Sequence, residues 1–254
     1  MTAVKYNADL ICHLVWRDFL LRYKKSVLGI LWSLLVPLGQ LAVLVLVFEK
    51  VVPLNIEDYP GFVFSGLLPW TWFSNSLGSA GYLFTYNRDL VRRPNFEPSI
   101  LVAVNTLSNL IHFLIFLPVL FLILAFYGRH MAFSLLFLPA LVFIQSLLIF
   151  GLSLITATLN VFYQDVQYAM NVAVMGLFYL TPVFYQADAV GDKYRLLYAV
   201  NPLSVLVESY RAIFFQGMAP QWNLFLLAAL ISTIVLGLGW LIYRRLLSTM
   251  YDFL

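Results

Sequence analysis

The chain has 254 residues, of which 62% are hydrophobic and 11% are charged, and its formal net charge is +3. Soluble domains have about 25% charged and about 45–50% apolar residues, so a soluble domain of this length is excluded. The composition predicts an integral membrane protein with one membrane domain over residues 1–254. The single cysteine, Cys12, excludes an intrachain disulfide and a paired-cysteine metal site.

The segment over residues 1–27 precedes the first long apolar run. Charged residues interrupt it too early for a secretory signal peptide. Apolar side chains share an i, i+4 row: Ile11, Val15, Phe19 and Tyr23, with Cys12 and Trp16 beside it. Leu10, Leu14 and Leu21 intrude on the charged half. This pattern predicts an imperfectly amphipathic helix at the membrane surface, either a topogenic anchor or a moving gate element.

Six runs are long and apolar enough to span a bilayer, for which about 20 residues are needed. They are residues 28–52, 61–84, 100–127, 131–159, 169–186 and 222–243. Alternating barrel strands are absent from the sequence, so an all-α fold is expected. The fourth run is longer than a span needs, and we expect it to tilt or to project from the bilayer.

Six spans place both termini on one side, and the cations identify that side. Ten cations fall there: Lys5, Arg17, Arg22, Lys24, Lys25, Arg88, Arg92, Arg93, Arg244 and Arg245. Five fall opposite: Lys50, Arg129, Lys193, Arg195 and Arg211. The excess predicts cytoplasmic termini.

The outer segment over residues 187–221 contains an apolar stretch too short to cross, which predicts re-entrant or interfacial helices. Asn201 and Pro202 predict a helix start. Glu208 and Arg211, three residues apart, are expected to pair on one helix face.

Two cytoplasmic connections follow from this topology. Residues 85–99 have mixed charge and room for one or two helical turns, so they form either a helix that docks into a partner or a plain positive-inside loop; the residues alone favour the loop. The second connection, TLNVFYQDVQYA, is a hairpin. We expect Asn160 to end one helix in a left-handed turn and Asp165 to cap the next. An alternative role for Asp165 is an ion pair with Arg17, Arg22, Lys24 or Lys25.

The middle of each predicted span lacks acidic and basic residues, which argues against a proton- or sodium-driven carrier. The sequence also lacks a GxxxxGK[ST] phosphate loop and an HExxH zinc pair. The energy for uphill transport would therefore come from another chain. Six spans make a thin wall, so a wide conduit would need a second copy.

Polar residues in the third span lie at i, i+3, i+4 and i+7, and therefore share one face: Asn105, Ser108, Asn109 and His112. We favour an interhelical hydrogen-bond seam over a sugar-lined channel for this face, and metal binding is improbable there. Aromatic rings and scattered amides nevertheless suit a sliding sugar chain. The candidate channel residues are Trp70, Trp72, Phe73, Asn105, Asn109, Tyr179 and Tyr185.

Four stretches resemble the permease subunits of type 2 ABC exporters for lipid-linked polysaccharides, which include O-antigen and teichoic acid exporters. They are RYKKSVLGILWSLLVPL, SGLLPWTWFSNSL, TLNVFYQDV and NPLSVLVESYRAIFF. The first matches the start of the family's first span through Arg22, Tyr23, Ser26, Leu28, Gly29, Trp32 and Pro37. One departure is Gln164, where the family most often has arginine.

The resemblance implies a homodimer of six-span subunits bound to two ATPase subunits, with ATP and Mg on the ATPase and no cofactor on this chain. It implies a gate helix over residues 1–27 that leads into the first span. The functional positions of the gate helix and the first-span entry would be Arg17, Arg22, Tyr23, Ser26, Gly29 and Trp32. The ATPase-coupling helix would carry Arg88, Asp89, Arg92 and Arg93. Asn160, Gln164 and Asp165 would form the cytoplasmic turn. The external re-entrant region would use Asn201, Pro202, Glu208 and Arg211.

The expected function is export of an undecaprenyl-diphosphate-linked polysaccharide, O-antigen first, across the bacterial inner membrane, without enzymatic activity or nucleic acid binding on this chain. Membrane lipids would surround it. Alternatives within the family are teichoic acid, capsule, drug or lipid export, although TLNVFYQDV argues against the capsule branch. From another class, a membrane-embedded polyprenyl-linked glycosyl or acyl transferase would need clustered acids or histidines. The external acids Glu57, Asp58, Asp188 and Asp192 show no catalytic signature.

Overall fold

The computed structural model describes residues 3–23, 31–129, 133–187, 198 and 200–254, and all regular secondary structure in these ranges is helical. Ser26 and Gly29 of the predicted gate region lie outside the described residues. The side chains of Arg22 and Tyr23 also lie outside them, as do residues 188–197 of the predicted external region.

The described helices run in the following order. They are α1 (Ala3–Tyr23), α2 (Leu31–Val45, continued by a π-helical turn over Leu46–Val51), α3 (Tyr59–Ala80), α4 (Tyr82–Tyr86), α5 (Arg88–Val91), α6 (Ser99–Phe126), α7 (Leu138–Phe162, preceded by a 3-10 turn over Phe133–Phe137), α8 (Asp165–Leu180), α9 (Pro202–Arg211, continued by a π-helical turn over Ala212–Gln216) and α10 (Trp222–Phe253).

Four of the described helical segments are long and apolar enough to cross a membrane, so the chain is a membrane protein. They are Leu34–Val51, Ser99–Phe126, Phe133–Phe162 and Trp222–Phe253. The other two predicted spans differ from expectation. The predicted run 169–186 is replaced by α8, whose 16 residues extend only about 24 Å. The predicted run 61–84 is interrupted at Gly81, where α3 gives way to α4.

Helix α3 is less apolar than the four spanning candidates because it lies inside the bundle. Sixteen of its 22 residues are buried, and it packs against α2, α6, α7, α8 and α9. A helix enclosed by protein can carry serine, threonine and asparagine, since neighbouring helices supply hydrogen-bond partners. This position makes α3 the central element to which the functional elements attach.

Helices α7 and α10 form the most extensive pairing, and glycine sets their separation. A β-carbon added at Gly239 would lie 2.4 Å from the Gly151 carbonyl oxygen, and one at Gly151 would lie 2.7 Å from the Leu236 backbone. Such close backbone approach increases van der Waals contact between helices in a membrane, where apolar burial adds little. Helix α10 also extends ten residues beyond its predicted end at residue 243.

Helix α1 packs on α6, but its predicted apolar face was only partly correct. Leu14 and Val15 are buried against Ile100 and Val104 of α6, whereas Trp16 is 63% exposed. Leu14, predicted to intrude on the polar half, belongs to the buried face. The reason is that α1 covers one neighbouring helix, whose narrow contact surface selects two adjacent rows of side chains.

Candidate functional site at the two ends of helix α8

One end of the bundle, here named the α5 end, carries α4, α5 and the start of α8. The four charged residues predicted to contact a partner are all exposed there: Arg88, Asp89, Arg92 and Arg93. Val91, in the same turn, is buried. The short helix α5 therefore presents a charged face outward while an apolar side chain fixes it to the bundle.

The base beneath α5 is an apolar cluster shared with the last turns of α10. It contains Phe84, Val91, Leu101, Val102, Leu154, Ala157, Tyr243, Met250 and Leu254. The Tyr243 hydroxyl donates to the Glu97 carboxylate at 2.5 Å, which adds a polar bond between α10 and the loop before α6. The extension of α10 beyond its predicted end thus supports the segment that carries α5.

The break between α3 and α4 is held by two buried amide side chains. Gln167 of α8 accepts a hydrogen bond from the Gly81 backbone N–H at 2.6 Å, and its amide nitrogen donates to the carbonyls of Leu77 (3.2 Å) and Gly78 (3.1 Å). Asn160 of α7 donates to the Gly81 carbonyl at 2.9 Å. We name this arrangement, formed by Asn160, Gln167 and the Gly81 backbone, the amide clamp.

The clamp corrects the roles predicted for the turn between α7 and α8. Asn160 does not adopt a left-handed conformation: α7 continues to Phe162, and the Asn160 side chain is buried. Its oxygen accepts from the backbone N–H of Gln167 at 3.0 Å, so it caps the start of α8. Asp165 is an exposed residue of the first turn, and the N-cap residue Gln164 makes no side-chain cap bond. Capping passed to Asn160 because α7 ends close beside the start of α8.

Between its ends, α8 is largely exposed. The structure describes all of its residues, and Gln167 is the single buried one. Tyr168, Val172, Met175 and Tyr179 recur at helical spacing and are each more than 60% exposed. A helix of this kind adjoining a membrane bundle faces either lipid or another protein surface.

The opposite end of the bundle, here named the α9 end, holds the chain that leaves α8. Arg211 is only 2% exposed; it donates to Glu208 at 2.8 Å and to the carbonyls of Pro182 (2.8 Å) and Val183 (3.1 Å). Its guanidinium also lies 3.8 Å from the ring centre of Phe62 in α3. The predicted pairing of Glu208 with Arg211 is confirmed. We name Arg211 and these partners the guanidinium anchor.

The α9 end contains a charged arginine and a capped helix start. Burial lowers the pKa of Arg211 to about 10, which leaves the guanidinium protonated at neutral pH. The predicted helix start is also confirmed: the Asn201 side chain accepts from the Leu203 N–H at 3.1 Å, and Pro202 is the first helical residue. The Tyr59 hydroxyl donates to the Phe184 carbonyl at 2.9 Å, which holds the segment after α8 a second time.

Five candidate channel residues pack inside the described part of one copy. Trp70, Trp72 and Phe73 of α3 are at most 5% exposed. Asn105 donates to the Ser76 carbonyl at 2.8 Å and accepts from the Ser79 hydroxyl at 2.9 Å, and Asn109 donates to the Asn105 carbonyl. The hydrogen-bond seam with α3 that the sequence favoured is confirmed at Asn105, whereas the Ser108 hydroxyl has no hydrogen-bond partner among the described residues and the His112 ring stacks on Phe19 of α1.

The remaining two candidates lie near the end of α8. Tyr179 is 63% exposed, and the Tyr185 hydroxyl donates to the Tyr179 carbonyl at 3.0 Å. Tyr185 also forms a hydrogen bond with Tyr198. These residues stay open to a neighbouring surface, unlike the five inside the bundle.

Two residues of the site were missed by the sequence analysis. Gln167 lies within TLNVFYQDVQYA, and the only signal was a third amide in that stretch, after Asn160 and Gln164. Arg129 pairs with Asp58 at 2.7 Å near the α9 end. Asp58, one of the acids considered for an enzyme, is therefore committed to an ion pair, which weakens the transferase hypothesis.

Residues 9–215 match the family described as ABC-2 type transporter. The chain belongs to this family. The family match covers α1 to α9 and both ends of α8, so the charged α5, the amide clamp and the guanidinium anchor are features of an ABC-2 transporter membrane subunit.

Curated relatives cover most of this ABC-2 transporter chain. An O-antigen export system permease protein RfbA from Klebsiella pneumoniae is 32% identical over 220 residues, 85% of each chain. The RfbA permease from Myxococcus xanthus is 33% identical over 229 residues, 89% of this chain and 88% of its own. The polysialic acid transport protein KpsM from Escherichia coli is 24% identical over 234 residues, 90% of each chain.

Proposed function

We propose that the chain is the membrane-spanning subunit of an ATP-driven exporter that moves a lipid-linked polysaccharide, O-antigen in the first place, from the cytoplasm across the bacterial inner membrane. The observation that carries the proposal is the similarity to O-antigen export permeases, at 32–33% identity over 85–89% of this chain. The similarity to the polysialic acid transport protein is lower, at 24%, which ranks O-antigen above capsule as cargo.

The energy comes from a separate ATPase, and α5 is its docking element in this proposal. Arg88, Asp89, Arg92 and Arg93 are exposed together, and an apolar base anchors the turn that carries them. Charged groups on a well-supported turn suit a contact that transmits force, because the turn does not shift independently of the bundle. ATP and Mg bind to the two partner subunits, and the α5 end faces the cytoplasm.

A second copy of the chain completes the conduit. Helix α8 leaves Tyr168, Val172, Met175 and Tyr179 exposed, and the polar Asn171 lies on the same largely exposed helix. Four exposed apolar and aromatic side chains at helical spacing suit a contact with another protein surface. We place the twofold contact and the sugar path along α8, with Tyr179 and Tyr185 as lining residues and α9 as the external closure. The six-span topology and the gate role of α1 belong to the same proposal.

Reconstitution tests this function. The full chain is purified with and without the ATPase encoded beside it and placed in proteoliposomes. The cargo is the lipid-linked polysaccharide that accumulates in cells lacking this chain. The complex is expected to move the polysaccharide into a compartment protected from added glycosidase, with vanadate-sensitive ATP hydrolysis. Transport by the chain alone, or hydrolysis by the complex without transport of this cargo, contradicts the proposal.

A further inference from the structure

Gln167 uses every hydrogen-bonding atom of its side chain within the junction. Its oxygen accepts from the Gly81 N–H, and its nitrogen donates to the carbonyls of Leu77 and Gly78 and to the Asn171 side chain at 2.7 Å. The residue has no exposed surface. A buried amide with all its atoms satisfied has one geometry, and displacing it leaves several polar groups without partners.

The groups bound by Gln167 are those that a helix break leaves open. Helix α3 ends at Ala80, so the carbonyls of Leu77 and Gly78 belong to its last turn and lack partners further along the helix. Gly81 immediately precedes α4, which leads into α5. Gln167 therefore joins the end of α3, the start of α4 and the first turn of α8 at one point.

Steric contacts leave no room for α8 to slide at this point. A β-carbon added at Gly81 would lie 2.5 Å from the Gln167 side-chain oxygen, 2.9 Å from its β-carbon and 3.0 Å from the Asn160 amide carbon. These distances are shorter than ordinary van der Waals contact. The backbone of Gly81 thus packs directly against the Gln167 and Asn160 side chains. A displacement of the α3–α4 break therefore requires a displacement of α8.

Apart from the clamp, α8 contacts the bundle through one apolar row: Met170, Val174, Leu177 and Phe178 are partly buried against the core cluster. Gln167 is its single buried residue, and most of its length has an exposed face. A single α-helix moves as one body, so a displacement of its clamped end also displaces the rest of α8. The clamped end lies next to the α4–α5 segment, whereas the middle of the helix carries the exposed aromatic face.

We infer that Gln167 is a positioning residue for transport: it makes α8 follow the α4–α5 segment, so that force applied at α5 repositions the helix along the sugar path. This inference rests on the proposed function, since it takes α5 as the ATPase contact and α8 as the conduit helix. Gln167 touches neither nucleotide nor polysaccharide and acts through α8.

Gln145 provides a matched control within the same bundle. It is equally buried, at 1% exposure, and its amide nitrogen also donates to a backbone carbonyl of α3, that of Pro69 at 2.7 Å. Gln145 lies in α7 and binds the middle of α3, away from the α3–α4 break. The substitution of methionine at similar volume removes one buried hydrogen bond at Gln145 and four at Gln167, and only the Gln167 site joins α4 to α8.

The experiment compares Gln167→Met, Gln145→Met and the unmodified chain in the reconstituted complex with its ATPase. ATP hydrolysis and polysaccharide transport are measured in the same vesicles. For Gln167→Met we expect hydrolysis to continue while the polysaccharide moved per ATP falls at least about fivefold, the lower range of coupling between sites. Gln145→Met should keep the unmodified ratio even if the complex becomes less stable.

A ratio for Gln167→Met equal to that of the unmodified complex overturns the inference, as does an equal loss in both variants. If Gln167→Met does not assemble, Gln167→Glu decides: it keeps an acceptor for the Gly81 N–H but replaces the donor nitrogen, and an unchanged ratio there overturns the inference. Absence of transport by the unmodified complex counts against the proposed function itself. Normal transport with unaffected Gln167 variants counts against this inference alone.

Discussion

Hydrogen bonds from side chains to backbone lie at both ends of α8, but the side chains are neutral at one end and charged at the other. At the α5 end, the amide clamp uses neutral groups, Asn160 and Gln167, to satisfy the backbone around Gly81. At the α9 end, Arg211 brings a buried positive charge to the carbonyls of Pro182 and Val183. The backbone bound at the α5 end belongs to the break between α3 and α4, and the backbone bound at the α9 end belongs to the segment that follows α8.

The difference indicates different mechanical roles. Bonds from a charged donor are roughly twice as strong as neutral ones, and a buried guanidinium without partners is strongly unfavourable. The guanidinium anchor is therefore suited to staying closed. Neutral amide bonds are individually weaker, so moving the clamp within the bundle costs less than moving a buried charge away from its partners. The clamp is thus the end of α8 that is expected to move together with the α4–α5 segment during a transport cycle.

Loss of the guanidinium anchor should have the largest effect on stability. Arg211→Met removes a charged donor from two carbonyls, and we expect a loss of about 3 kcal/mol or more in the free energy of unfolding. The measurement is the shift of the thermal unfolding midpoint of the purified chain, followed by tryptophan fluorescence. Arg129→Met is the matched control, because Arg129 is 33% exposed and water reaches its ion pair. Equal losses in the two variants would contradict the distinction.

A methyl group at the α3–α4 break should cause the second largest loss in the free energy of unfolding. Gly81→Ala places a β-carbon 2.5 Å from the Gln167 oxygen and forces the clamp open, with an expected cost of about 1–3 kcal/mol. Gly78→Ala, three residues earlier in α3, meets nothing within 4 Å and should be neutral or slightly stabilising. The same unfolding measurement separates them, and a destabilised Gly78→Ala would show that helix geometry, not the clamp, limits this position.

The start of α9 offers a smaller test of local capping. Asn201→Ala removes the side chain that accepts from the Leu203 N–H, and about 1 kcal/mol should be lost. Gln221 occupies the equivalent position before α10 but makes no side-chain cap bond, so Gln221→Ala should leave the unfolding midpoint unchanged. A comparable shift in both variants would mean that the measured loss does not arise from the cap.

Asp165 should give the smallest stability effect. The structure places Asp165 in the exposed first turn of α8 while Asn160 supplies the cap, so Asp165→Asn removes only the favourable helix-dipole term, at most about 0.3–1 kcal/mol. Its second predicted role, an ion pair with cations of the α1 region, is tested by export. Impaired export at a normal membrane level, with recovery in Asp165→Glu, supports the ion pair; full export in Asp165→Asn removes that role.

The sequence predicted features that depend on local chemistry. The helix start at Asn201 and Pro202 and the pairing of Glu208 with Arg211 involve residues within three positions of each other, so spacing along one helix suffices to predict them. The exposed charges around α5 follow from a polar segment between two apolar runs. The seam between α3 and α6 was expected from the shared face of Asn105 and Asn109, although its partners were not.

Features that join distant segments were not predictable in this way. Asn160 and Gln167 meet Gly81 across separations of 79 and 86 residues, and nothing local marks which glycine lies between them. The cap of α8 was misassigned for the same reason. Asp165 is of the residue type that usually caps a helix, but in the packed structure the Asn160 side chain accepts the hydrogen bond from the Gln167 backbone N–H.

Composition and hydropathy by themselves determined that this chain is a helical membrane protein, since the cost of exposing charge or unpaired backbone to lipid applies wherever the residues lie. The ordered motifs indicated its transporter family. Only the tertiary structure decided that α3 is enclosed, that α8 is short, and that the polar bonds at one end of α8 use amides and those at the other a guanidinium. Those outcomes depend on which open backbone groups come into contact when the helices pack, and that proximity is a property of the assembled bundle.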